Sequence, residues 1–191
     1  MNLPNKLTLM RIILTPVFMA VLYWGFPGAD YAALAIFIIA SLTDLLDGKI
    51  ARKYHLVTDF GKFADPLADK ILVTAAMLWF VEVGRMPAWA LLVVLLREFA
   101  VSGLRMIASD KGRVIAAGWS GKVKTASTMV CIIVMLLLGP EIARAASDSL
   151  TAMPVGWLRW IDPVCVWVIV LTTLYSGVEY FVKNKDVIAS A

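Results

Sequence analysis

DLLDGKIARKYHLVTDFGKFADPLADK, residues 44–70, holds five aspartates and five lysines or arginines at the junction of two long apolar runs. Those runs, read as residues 30–53 and 66–84, have four companions at 8–26, 87–109, 119–139 and 160–182. A helix needs about 20 mostly apolar residues to cross the ~30 Å hydrocarbon layer of a bilayer, and each run meets that length. Charge concentrated where two such runs meet is the pattern of a chain turning at a membrane surface. The expected fold is all-α, a polytopic membrane protein with six transmembrane helices in a single domain over residues 1–191.

The composition agrees. Of the residues, 61% are apolar, and mean hydropathy is +0.82, against ~45–50% apolar in soluble domains. The runs are continuous and do not alternate apolar with polar, which favours helices over a transmembrane β-barrel. Breakers are expected to separate them at Pro27–Gly28, Gly84–Pro87, Gly112 and Gly139–Pro140. The stretch 140–159 reads as the one long connection, with a short interfacial helix ending near Trp157 and Trp160. No cleavage signal follows the first run, which is therefore read as a retained span.

An even number of spans puts both termini on one side. That side would carry thirteen lysines and arginines, including Lys6, Arg11, Arg52, Arg113 and Lys183, against Arg85, Arg144 and Arg159 on the other. The asymmetry places the termini and the charged junction in the cytoplasm, the protein being in the cytoplasmic (inner) membrane. The net charge of +4 follows from the same bias and calls for no nucleic acid partner; anionic lipid or a phosphorylated substrate suffices. Cys131 and Cys165 lie inside spans and read as packing residues, and the lone His55 reads as solvated.

Within the opening stretch the aspartates have helical spacing. Asp44 and Asp47 are three apart near the end of the second span, and Asp65 and Asp69 are four apart at the start of the third. Each pair therefore shares a helix face. Gly61 marks the place where the connection can turn. Four carboxylates sharing one membrane depth repel one another and call for positive charge between them. An oxygen-only donor set, without cysteine or histidine, suits Mg²⁺, Mn²⁺ or Ca²⁺, and four carboxylates can hold two such ions. Gly48 and Ala51 fall on the face of Asp44 and Asp47 and leave room for a bulky ligand. Arg52 on its flank could fork onto phosphate oxygens. Metal-site ends of helices 2 and 3 at the cytoplasmic surface are thus the expected chemistry.

The pattern D44-x2-D47-G48-x2-A51-R52-x8-G61-x3-D65-x3-D69 resembles the complete signature of the CDP-alcohol phosphatidyltransferase family. Members of that family join a CDP-activated lipid to an alcohol and release CMP. The resemblance implies that Asp44, Asp47, Asp65 and Asp69 bind Mg²⁺ or Mn²⁺, two ions in all, and that Asp69 is also the general base. It implies CDP-lipid contacts at Gly48, Ala51, Arg52, Thr58 and Gly61, with Asn5 and Thr8 helping to hold the head group. NLPNKLTLMRI at 2–12, REFAVSGLR at 97–105 and SGKVKT at 120–125 are similar to family members whose donor is CDP-diacylglycerol and whose acceptor is glycerol-3-phosphate. A homodimer through membrane helices is also implied.

The acceptor's phosphate requires cations at the depth of the aspartates. Arg105, Arg113, Lys122 and Lys124 are the candidates; the two lysines point ~200° apart on a helix, and Arg113 and Lys122 are preferred to Lys124. Arg97 and Glu98 sit mid-span, where charge is functional or paired. Glu98, Ser102 and Arg105 form a polar stripe, read equally as an acceptor route or a buried network. Two alternatives stand beside this reading. One is the same chemistry with inositol phosphate, serine or phosphatidylglycerol as acceptor. The other is a divalent-cation transporter, disfavoured because all four aspartates lie at one membrane face.

Overall fold

The computed structural model describes residues 3–54, 59–110, 112, 115, 118–147 and 157–185, with side chains for 7–43, 67, 68, 70–109, 112, 115, 118–141 and 157–185. Among them the chain is helical and strand-free: α1 (Leu3–Trp24), α2 (Ala29–Tyr54), α3 (Asp59–Glu82), α4 (Ala88–Asp110), α5 (Trp119–Ser147) and α6 (Ile161–Lys183), with a 3₁₀ turn at Leu158–Trp160. Each apolar run has become one helix, the arrangement in which every backbone group finds its partner within the segment.

The breakers behave according to their chemistry. Gly28, Gly84 and Gly112 have φ of 92°, 73° and 70°, the left-handed region that side chains avoid. At the end of α3, Arg85 N–H reaches the Phe80 carbonyl at 2.8 Å and Gly84 N–H reaches that of Val81 at 3.2 Å. This pair of bonds is a Schellman cap, and Gly84 supplies its left-handed residue. The 3₁₀ turn lies where an interfacial helix near Trp157 and Trp160 is expected.

Two expectations fail. Gly61 lies inside α3, which begins at Asp59, so it does not form the turn; residues 55–58 of that connection are outside the described residues. Gly139 and Pro140 do not end the fifth helix, which continues to Ser147. Unwinding there would leave peptide groups unpaired in an apolar setting, a larger cost than the one bond proline removes. Gly139 has a packing role instead. A Cβ on it would come within 2.8 Å of Arg85 Nη1 and 3.4 Å of Asp30 Oδ1, so any larger residue would require the Arg85 guanidinium to shift.

Helix α1 packs against both α2 and α3, α5 against α2 and α6, and α4 against α6. The shared core holds Phe18 and Phe37, with ring centroids 6.2 Å apart, and Leu72, Phe80, Ile132, Leu136 and Ile169. Ala33, Ala40, Ala68 and Ala76 are fully buried, small residues that let the helices approach closely. Phe99, Tyr175, Val178 and Leu92 point outward, an apolar exterior suited to lipid. Leu7–Trp24, Trp119–Glu141 and Leu158–Lys183 are the three described segments long and apolar enough to cross a bilayer, and α2 is apolar over Ala29–Thr43. The runs read as spans in α3 and α4 carry Lys70 and Arg97, Glu98 and Arg105.

Candidate active site

Short links make α1, α2 and α3 alternate in direction, so the start of α1, the end of α2 and the start of α3 share one end of the bundle. The backbone places Asp44, Asp47, Gly48, Ala51 and Arg52 in the last turns of α2, and Gly61, Asp65 and Asp69 in the first turns of α3. The helical spacing of both aspartate pairs is therefore real spacing on helices. Their side chains, and Asn5, Thr58 and Arg113, lie outside the described residues. Among the described residues no group of three His, Cys, Asp or Glu comes together.

Helix α1 brings polar groups to this end. Thr8 is fully buried, Arg11 is 1% exposed and Thr15 is buried, with its hydroxyl donating to the Arg11 carbonyl at 3.0 Å. The three are spaced three and four apart, so they form one inward stripe on the helix that contacts both aspartate-bearing helices. Burying a guanidinium this completely requires negative charge or hydrogen-bond acceptors around it. Sequence reasoning counted Arg11 only as a topology marker. Its place in register with Thr8 was the available signal.

A second set of charges joins α3, α4, α5 and α6. Glu98 Oε1 accepts from Lys124 Nζ at 2.5 Å and from Arg97 Nη1 at 3.0 Å, and Oε2 lies 3.6 Å from Lys70 Nζ. Lys70 also donates to the Ser102 hydroxyl. Arg97 Nη2 donates to Ser176 Oγ at 2.7 Å, while its Nε is buried with no partner among the described residues. The guanidinium is held between helices by two glycines: a Cβ on Gly177 would lie 3.2 Å from Arg97 Cγ, and one on Gly121 would lie 3.7 Å from Nη2.

The predicted acceptor cations thus separate. Lys124 is buried on Glu98, and Lys122 is exposed, the opposite orientations their spacing implies. Arg105 Nε donates to Tyr180 Oη at 3.1 Å, and its guanidinium lies 5.5 Å from that ring's centroid. The stripe of Glu98, Ser102 and Arg105 divides as well: its first two members join the charge cluster and the third turns to α6. Lys70, beside Asp69 in sequence, was not anticipated; a lysine just inside an apolar run was the signal for it. Cys131 and Cys165 are buried free thiols, in keeping with a packing role.

Comparison with known proteins completes the description. The CDP-alcohol phosphatidyltransferase profile matches residues 1–175. A Bacillus subtilis protein named CDP-diacylglycerol–glycerol-3-phosphate 3-phosphatidyltransferase is 42% identical over 202 residues, covering 100% of this chain and 98% of its own. Proteins of the same name from Rickettsia bellii and Shigella flexneri are each 34% identical, covering 96% and 94% of this chain and 96% and 92% of their own. With the signature aspartates on successive helices, a profile match over nearly the whole length and relatives aligned end to end, the chain belongs to the CDP-alcohol phosphatidyltransferase family.

Proposed function

We propose that the protein transfers the phosphatidyl group of CDP-diacylglycerol to glycerol-3-phosphate, giving phosphatidylglycerol phosphate and CMP. The observation that supports this reading is the full aspartate signature at helical register on α2 and α3. Among the described residues, a cluster of three cations on one acid also begins at Lys70 of α3. The names of the aligned relatives support the same donor and acceptor.

The donor set fits a hard divalent cation, because Asp44, Asp47, Asp65 and Asp69 offer only oxygen. Those residues would hold Mg²⁺ or Mn²⁺, two ions in all, which when bound supply charge neutralisation at the pyrophosphate. Gly48, Ala51 and Gly61 leave space against the backbone for the CDP head group, and Arg52, Thr58, Asn5 and Thr8 would orient it. Asp69 accepts the proton from the acceptor hydroxyl as its oxygen bonds to the lipid-bearing phosphorus and the bond to CMP breaks. No covalent enzyme intermediate is required. Of the cations expected there, Lys124 is the one among the described residues that faces inward, and it would receive the acceptor's phosphate.

In this reading the six helices all cross the cytoplasmic membrane, with both termini and the site on the cytoplasmic side, and two copies pair through their apolar faces. Both substrates can reach such a site, since the donor's tails stay in lipid while the acceptor arrives from water.

The test is CMP release by the purified, detergent-solubilised protein given CDP-diacylglycerol and Mg²⁺. Parallel reactions hold glycerol-3-phosphate, inositol phosphate, serine or phosphatidylglycerol, each with and without EDTA. Release with glycerol-3-phosphate alone, abolished by EDTA, is expected. Release with a different acceptor would keep the chemistry and overturn the acceptor; no release from folded protein would end the enzymatic reading.

A further inference from the structure

We propose that Glu98 is a positioning residue for the acceptor: one carboxylate that gathers Lys70, Arg97 and Lys124 from three helices into a subsite for a phosphomonoester dianion. The inference rests on the acceptor reading above and adds residues to it.

The first argument is charge. Among the described residues three cations share one acid, so this part of the cluster carries two more positive charges than negative ones. Buried ions are stable when paired, and a network serving only to join helices has no use for a surplus. A phosphomonoester is close to a dianion at neutral pH, with its second pKa near ~6, and would bring the cluster to neutrality. A zwitterion such as serine would not.

The second argument is unused donor capacity. Lys124 gives Glu98 its hydrogen bond and has two further N–H groups. Arg97 is anchored through Nη1 and Nη2, leaving a buried Nε without a partner among the described residues. Glu98 thus holds the cations in place while leaving them capacity for another anion.

The third argument is position. Lys70 follows Asp69 in α3, so the cluster begins one residue from the proposed base. Glycerol-3-phosphate carries its attacking hydroxyl and its phosphate on one three-carbon chain, which demands neighbouring subsites for the two groups.

Steady-state CMP release at varied glycerol-3-phosphate, by the full-length protein in micelles with Mg²⁺, tests this. Glu98→Gln keeps the shape and removes the charge that orders the cations. It should raise the acceptor KM about tenfold or more, with kcat within about twofold and the CDP-lipid KM unchanged. Glu98→Asp, which restores the charge, should recover most of the loss. The double variant Glu98→Gln/Lys124→Gln returns the cluster to its original net charge; it should regain thermal stability without regaining acceptor KM. Recovery of both in the double variant, or parallel loss of both KM values in the single one, would reduce Glu98 to a structural counter-ion and overturn the proposal. Should Glu98→Gln fail to fold, Ser102→Ala removes the hydroxyl that holds Lys70 and leaves every charge in place. It should raise the acceptor KM about threefold, and an unchanged value would equally overturn the proposal. Wild-type protein that ignores glycerol-3-phosphate but uses another acceptor would refute the acceptor reading itself, a result separate from any Glu98 phenotype.

Discussion

Two clusters of buried charge sit towards opposite ends of this bundle, and they are built differently. Near the α3–α4 turn, Arg85 donates to both oxygens of Asp162 at 2.8 and 2.7 Å, one cation to one acid, under the bare backbone of Gly139. Towards the aspartate end, Glu98 serves Lys70, Arg97 and Lys124 together, and one guanidinium nitrogen has no partner among the described residues. The first arrangement is a matched pair: Nε and Nη2 of one guanidinium take both oxygens of one carboxylate. The second is open: its cations and donors exceed the acids and acceptors among the described residues. A balanced pair ties helices together, whereas an unbalanced cluster is arranged for an anion from outside.

The contrast can be broken experimentally, beginning with the largest effect. Asp69→Asn removes the proposed base and should reduce CMP release on the order of 10³-fold, with the thermal midpoint in detergent nearly unchanged. Arg85→Met leaves Asp162 buried without its partner and should destabilise the protein by about 3 kcal/mol while the acceptor KM of the remaining folded enzyme stays at wild type. Thermal denaturation and kinetics on one preparation separate these phenotypes. If Arg85→Met altered acceptor KM, the division between a structural and a functional cluster would fail.

Gly139→Ala sharpens the same point sterically. Its new Cβ would meet Arg85 Nη1 at 2.8 Å, and a shift of that guanidinium should cost roughly 1–2 kcal/mol, read as a lower thermal midpoint with kinetics intact. The smallest effect belongs to Lys122→Gln. Because Lys122 is exposed, the change should stay within about 0.5 kcal/mol in stability. Comparison with Lys124→Gln, whose acceptor KM should rise, distinguishes two lysines that stand two residues apart.

Much of this was legible along the chain because it depends on local period. Asp44–Asp47 and Asp65–Asp69 share helix faces in any helix that contains them, and Gly28, Gly84 and Gly112 turn the chain wherever a left-handed residue is needed. Gly139 was misread for a specific reason. Sequence marks a glycine as permissive, but it does not distinguish a residue needed for a turn from one needed for close packing. Gly139 is glycine because of Arg85 and Asp30, far away in sequence.

The sequence by itself determined that this is a helical membrane protein, that its acids come in pairs at one end, and which family they signify. Those properties reside in composition, helical period and fixed spacing. Only the tertiary structure decided that α1 contacts both aspartate-bearing helices and carries Arg11 into the interior. It also decided that Lys124 and not Lys122 faces inward, and that Glu98 meets cations from three helices. Such partnerships are set by which helix faces pack together, and a burial that brings residue 70 to residue 98 and residue 124 leaves no periodic trace in the chain.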